Sequence, residues 1–289
     1  MEKEDLEAMT TESYVYKKEV DWSLFNYGFA IPNEHQVVFK QIADRYIERG
    51  ESKQVTLYLD GVAYSARLQN NNIDKRFGNR KDIVQVRYSQ NSELAEALRK
   101  AFQRSYTYIY KMKQLQAKGS KKHIPLPDEY KEYLAIYTTI YDDSYILEPI
   151  VCEEMEILKD FVKGKQEREV EADFSYKEKD DSAGIRIKQR LVRLRKLNRL
   201  IGENLKLLYG YRCQICGKLI GEEYGAHIAE AHHIDYFVKS LNNDASNQMI
   251  VCPNHHSIIH DVNPVFDRNR RMYIYSNGLE QKLTLNKHL

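Results

Sequence analysis

Long apolar runs are missing from this sequence. No stretch approaches the roughly 18 consecutive apolar residues that a membrane-crossing helix needs, and the opening MEKEDLEAMT is acidic, without the apolar core of a secretion signal. Cysteine is scarce. Four in 289 residues are too few for a disulfide scaffold, and three of them, Cys213, Cys216 and Cys252, share one segment while Cys152 stands alone. The expected setting is the reducing cytoplasm, with no membrane partner. A large excess of one charge is also lacking. The net charge of +2 means that any nucleic-acid surface has to come from local clustering. Tryptophan occurs once against 22 tyrosines; tyrosine can stack on bases, but packing strands is its commoner use.

The length suits two domains, and 42% hydrophobic residues can bury a real core. The expected fold class is α+β. Residues 1–20 read as a loose arm. Residues 21–117 read as an α+β domain, 118–184 as a helical connector with an acidic linker, and 185–289 as a basic helix leading into a cysteine- and histidine-rich domain. Within the first domain a helix is expected over 34–49 behind Asn33. A hairpin follows, Val55–Leu59 returning as Val62–Leu68 across Asp60-Gly61. Ile83–Tyr88 reads as a strand, and a helix runs from the Ser92 cap to about Met112. Further helices are expected around Tyr130–Ile140 and Cys152–Val162. Residues 165–181, with seven acidic side chains and no clear period, read as linker.

Two segments have the composition of DNA contacts. The loop 69–81 carries Lys75, Arg76 and Arg80 among asparagines, side chains that grip phosphates and read base edges, although Asn and Gly also simply favour turns. From Ile185 to Arg212 the chain presents Arg186, Arg190, Arg193, Arg195 and Arg199 along an amphipathic helix whose only acid is Glu203. One-sided charge of this kind suits a phosphate backbone.

The C-terminal third holds two constellations. Cys213-Gln-Ile-Cys216 and Cys252-Pro-Asn-His255 are pairs with two-residue gaps, and three thiolates with one imidazole suit a closed structural zinc site. Between and after them lie His232-His233 on an expected strand, Asn247 opening the next, and His256 and His260 one turn apart on a helix that Pro253 can start. Adjacent strand residues point to opposite sides, so His232 and His233 have different jobs. His35, His123 and His227 belong to no constellation, and Cys152 reads as a buried thiol.

In order and spacing, residues 207–289 resemble the HNH endonucleases of the ββα-metal class; His255 stands where a fourth cysteine is more usual. The resemblance implies a zinc-stabilised C-terminal nuclease domain. It makes His233 the general base and His232 and His256 ligands of a catalytic divalent ion, with His260 a third. The ion implied is Mg2+, with Mn2+ or Ni2+ also accepted by imidazoles. Asn247 would hold the base-bearing loop, and the catalytic set is His233, Asn247 and His256. The substrate implied is double-stranded DNA. The N-terminal domain would supply target recognition, as in a sequence- or modification-specific restriction enzyme, and two-strand cutting favours a homodimer. The alternatives are a zinc-stabilised DNA-binding protein without catalysis, or a homing or broad-specificity phage-defence nuclease.

Overall fold

The computed structural model describes residues 13–36, 39, 47–71, 83–117, 119–120, 122–139, 141–175, 197 and 199–289. The chain is a mixed α+β protein that divides into two compact units, Met1–Glu156 and Ile157–Leu289. No helix among the described residues is long and apolar enough to cross a membrane.

The first unit is built on a seven-stranded sheet. Its strands are β1 (Ser13–Glu19), β2 (Gly28–Ile31), β3 (Ser52–Leu59), β4 (Val62–Asn70), β5 (Val84–Arg87), β6 (Tyr133–Thr138) and β7 (Ser144–Ile150), in the spatial order β1-β6-β7-β3-β4-β5-β2. Helix α1 (Trp22–Asn26) lies between β1 and β2 in the chain. The β3–β4 hairpin turns at Asp60 and Gly61, both with positive φ (50° and 81°), as a tight primed turn requires. Gly28 sits at φ 121°, where an added Cβ would lie 1.9 Å from the Val86 carbonyl oxygen; only glycine permits β2 to pair with β5 there.

Several expectations are corrected here. Ser13–Glu19 is not a loose arm but an edge strand paired with β6. The run around Tyr130–Ile140 is not helical. Every residue of β6 is buried, and a short continuous apolar run buried on both faces carries no period to separate strand from helix. The segment 118–150 is therefore no helical connector, since β6 and β7 are central in the first sheet. The helix from Ser92 is two helices, α2 (Glu93–Ala101) and α3 (Gln103–Leu115). They are separated at Phe102, which is fully buried and non-helical at φ −113°, ψ 43°. Ser92 caps α2 by accepting the Ala95 N–H at 3.2 Å. Of the helix expected over 34–49, only a single-turn 3-10 segment, Asn33–Gln36, is seen; most of the rest lies outside the described residues.

Helix α4 (Cys152–Val162) begins where expected. Cys152 is buried, and burial pushes its thiol up to about 12. Its N–H and that of Ser105 reach the buried Glu132 carboxylate (3.3 and 3.2 Å).

The second unit begins well before residue 185. Helix α5 (Glu167–Ser175) falls in the stretch that reads as acidic linker. A helix α6 follows at 199–208, and Leu197, Ile201 and Leu205 of this segment are buried. Then come β8 (Glu230–His233), α7 (Phe237–Ser240), β9 (Gln248–Val251) and α8 (Pro253–Val262). A three-stranded meander, β10 (Val265–Asp267), β11 (Met272–Ile274) and β12 (Glu280–Lys282), closes the unit.

Strands β8 and β9 pair antiparallel, His232 opposite Met249 and His233 opposite Gln248. The core of the unit gathers Cys213, Ile215, Met249, Val251, Cys252, Ile259, Tyr273 and Tyr275. Gln214 is fully buried and acts as an extra rung on β9. Its N–H meets the Ile250 carbonyl at 2.8 Å and its Oε1 takes the Ile250 N–H at 2.7 Å. Its own carbonyl accepts the amides of Thr284 and Leu285 (2.8 and 3.0 Å).

Candidate metal centre

Among the described residues, the second unit holds three groups of ligand-type side chains. In the first, one donor atom each from Cys213, Cys216, Cys252 and His255 lies within 4.8 Å of the others. Cys213 and Cys216 come from a knuckle that turns at Gly217, and Cys252 caps α8. Pro253 then takes the first helical position, where its missing N–H costs nothing. His255 Nδ1 lies 3.2 Å from Cys252 Sγ and 3.6 Å from Cys213 Sγ. A tetrahedral ion with ~2.3 Å bonds to sulfur and ~2.0 Å bonds to nitrogen sets S and N about 3.5 Å apart, so the donor set fits a metal ion. All four cysteines are free thiols. Burial pushes Cys213 up to about 12, a cost that a bound cation offsets by stabilising the thiolate.

The second group is Glu171, His232, His256 and His260, again with one donor atom each within 4.8 Å. His232 projects from β8 toward α8. It is 1% exposed, and neither ring nitrogen makes a hydrogen bond; its nearest acidic atom is Glu171 Oε1, 3.5 Å from Nδ1. Against the raising effect of Glu171, burial holds its pKa below the ordinary value, which favours the neutral ring. His256 and His260 share one face of α8. Their Nε2 atoms are 3.3 Å apart, and both lie on Glu171 Oε2, at 3.0 and 2.9 Å. Glu230 holds His256 from outside, its Oε2 lying 2.7 Å from Nδ1. This directs Nε2 inward, as a carboxylate behind a ligating histidine does.

Burial opposes charge on His256, but hydrogen bonds to Glu171 and Glu230 carry it up to about 9. Burial alone would raise the Glu171 carboxyl. The four surrounding histidines outweigh it and hold the acid well below the carboxylate range.

His233 points to the other side of β8. Its Nδ1 lies 2.9 Å from Glu167 Oε1, and its Nε2 lies 2.9 Å from Asn243 Oδ1, which also accepts from Gln248 Nε2 at 2.8 Å. The Glu167 carboxylate receives the amides of Phe237 and Val238, both at 2.9 Å, at the start of α7. Burial works against an imidazolium here, yet the contacts with Glu167 and Glu171 raise His233 to about 9. Glu167, Glu171 and His233 form a third group with ligand-type spacing.

Asn247 is fully buried between α7 and β9, its side chain bonded to the backbone of Asp235 and Asn242. Arg268, at the end of β10, donates to Asn247 Oδ1 at 2.8 Å and pairs with Asp235.

A cleft of about 570 Å³ opens onto this region, with Arg168, Arg199 and Lys206 on its walls beside Glu171, His233 and His256. Arg199 is thus the one expected DNA-contacting side chain among the described residues. Arg186, Arg190, Arg193, Arg195, Lys75, Arg76 and Arg80 lie outside them. Helix α6 approaches β8 closely at Gly202, where an added Cβ would stand 2.9 Å from the Ala231 Cβ.

The sequence pattern points to three of the cysteines, five histidines and Asn247, and not to Glu167, Glu171 and Glu230. The available signal for the first two was their i, i+4 spacing, which places both on one face of a helix. For Glu230 it was the alternation that sets it on the same side of β8 as His232. Compared with known proteins, the chain matches no family model, no curated protein and no solved structure.

Proposed function

We propose that the Ile157–Leu289 unit is a DNA phosphodiester hydrolase of the HNH, ββα-metal kind. The observation that carries this reading is the convergence of His232, His256 and His260 on one point, with His233 on the opposite face of the same strand. A packed core has no use for four histidines in this arrangement, and a phosphodiester hydrolase needs both a charge-stabilising centre and a separate base.

In this reading His233 is the base. Glu167 holds Nδ1–H, so the base is the neutral ring that has lost its Nε2 proton; with His233 raised to about 9, that form gains as pH rises. Asn243 covers Nε2 at 2.9 Å, so an incoming phosphate and its water have to take the place of that contact. Arg199 and Lys206 line the cleft beside His233 and give a phosphate its counter-charges. His232, His256 and His260 would hold a divalent ion, which when bound would supply charge to the phosphate and to the leaving oxygen. Cys213, Cys216, Cys252 and His255 would hold the zinc that fixes the frame. The first unit is assigned target reading, as in a cytoplasmic restriction enzyme on double-stranded DNA, with a second copy cutting the second strand.

The test is a cleavage assay. Zinc-loaded protein is incubated with Mg2+ or Mn2+ and one plasmid prepared unmodified, methylated and hydroxymethylated. Discrete fragments are expected, with His233→Ala losing about 10²–10⁴-fold in rate at unchanged DNA affinity. Near-normal cutting by that variant removes His233 from the role, and no cutting of any plasmid by the wild type overturns the reading.

A further inference from the structure

The ββα module contributes three imidazoles to its metal centre, but the centre has a fourth donor. We infer that Glu171, from a helix outside the module, completes a three-imidazole, one-carboxylate site that takes a first-row transition-metal ion in preference to Mg2+. The inference deepens the nuclease reading and rests on it for the ion's role; the ion's binding rests on geometry alone.

Three observations carry it. The His256 and His260 Nε2 atoms are 3.3 Å apart, and two ~2.0–2.1 Å bonds meeting at a tetrahedral angle place nitrogens about 3.4 Å apart. At that distance an N–H of one ring can meet the lone pair of the other, whereas one ion at the shared point takes both lone pairs together. His232 is 1% exposed with neither nitrogen hydrogen-bonded, and a buried polar group in a native fold has a partner. An ion at the shared point supplies one to the ring nitrogen that faces it. Glu171 sends one oxygen to each side: Oε1 stands 3.5 Å from His232 Nδ1, and Oε2 stands 3.0 and 2.9 Å from His256 and His260.

Helix α5 is fixed in that position by its own contacts. Glu167, one turn earlier, takes the two amides of α7, and Arg168 bonds Asp261 and the Ser257 carbonyl on α8 at 3.1 and 3.3 Å. The carboxylate is therefore delivered to the histidines by a braced element. Its chemistry sets the preference: Mg2+ demands an octahedral oxygen shell and keeps its waters, while nitrogen-rich four-donor sets suit Mn2+, Co2+, Ni2+ or Zn2+.

The experiment is calorimetric titration of the zinc-loaded full-length protein with Ni2+, Mn2+ and Mg2+, without DNA. One equivalent of Ni2+ is expected to bind beyond the structural zinc, at least 100-fold more tightly than Mg2+. Glu171→Gln should weaken Ni2+ about 10–100-fold, His232→Ala should weaken it as much or more, and the exposed Glu223→Gln should leave it unchanged. Equal Ni2+ affinity in Glu171→Gln and wild type overturns the inference, as does Mg2+ binding that matches Ni2+.

Should Glu171→Gln fail to fold, the visible spectrum of Co2+ in the wild-type site decides. The intense bands of a four-coordinate ion support the site, and the weak bands of a six-coordinate ion overturn it. The two readings fail separately. Unaltered metal affinity in Glu171→Gln, with cleavage lost in His233→Ala, removes the inference and keeps the nuclease. A Glu171-dependent ion in a protein that cuts no DNA does the reverse.

Discussion

Asn247 holds Asp235 by both of its backbone groups. Its Oδ1 accepts the Asp235 N–H at 2.9 Å, and its Nδ2 donates to the Asp235 carbonyl at 2.9 Å and to that of Asn242 at 2.8 Å. The side chain continues the β8–β9 pairing past the end of the strands and closes the loop that follows His233. In Asn247→Ala the Asp235 N–H and the Asn242 carbonyl, in partly buried hydrogen bonds, lose their side-chain partner, at up to roughly 1–3 kcal/mol each, while the Asp235 carbonyl keeps the Ser240 hydroxyl. A lower melting temperature is expected, together with a loss of cleavage larger than the loss of DNA binding. An Asn247→Ala protein with wild-type melting and rate would show that the loop holds itself.

The cysteine-rich and the three-histidine groups should respond differently to a chelator. A structural zinc contributes folding energy outright, apparent values being about 10–16 kcal/mol. Tyr273 and Tyr275 pack in the same core as Cys213 and Cys252. If zinc occupies the cysteine group, stripping it, or Cys213→Ser, is expected to remove the part of the near-ultraviolet circular dichroism that Tyr273 and Tyr275 contribute, read as the difference lost in Tyr273→Phe/Tyr275→Phe. His260→Ala should leave that signal intact. Retention of the tyrosine signal in a zinc-free protein would mean that the core stands without the ion.

His288 gives the second unit a pH dependence of known sign. Its Nδ1 lies 2.6 Å from the Tyr209 hydroxyl, and its Nε2 lies 3.0 Å from the carbonyls of Ala245 and Gln248. Burial depresses its pKa and outweighs the raising effect of the two carbonyls. As pH falls through the ordinary histidine value of about 6.5, the unfolded chain takes up the proton before the folded one does. The contribution of His288 is therefore present above that pH and lost below it. Denaturant unfolding between pH 7.5 and 5.5 should show a steeper loss of stability in the wild type than in His288→Gln. Parallel slopes would take His288 out of the account.

Gly202 and Ala231 test the approach of α6 to β8. An added methyl at 202 meets the Ala231 Cβ at 2.9 Å, closer than packed carbons come, and overpacking of this kind costs about 1–3 kcal/mol. Gly202→Ala should destabilise, and adding Ala231→Gly should restore a good part of the loss. A double variant no better than the single one would place the strain elsewhere.

What could be read in advance follows from how each residue type acts. Cys213, Cys216, Cys252 and His255 are legible because metal ligation needs particular atoms at short spacing. The β3–β4 hairpin is legible because Asp60-Gly61 must adopt positive φ. Strand β6 is not, because burial on both faces erases the alternation that separates strand from helix. Helix α5 is not, because its acids look like solvated charge until Glu167 and Glu171 are seen meeting His233, His256 and His260. Their function is set by partners far along the chain, and composition alone assigns them to a linker.

Gln214 ties the cysteine knuckle to β9 and, through its carbonyl, to Thr284 and Leu285; His288 then wedges against the two carbonyls behind β9. The sheet that carries His232 and His233 thus waits for residues made some fifty positions later. On a ribosome, where a chain acquires structure as it emerges, the histidines and the knuckle appear well before the segment that fastens them together. The contacts of residues 284–288 with Gln214 and with the carbonyls of Ala245 and Gln248 are therefore the last of these to become available as the chain is made.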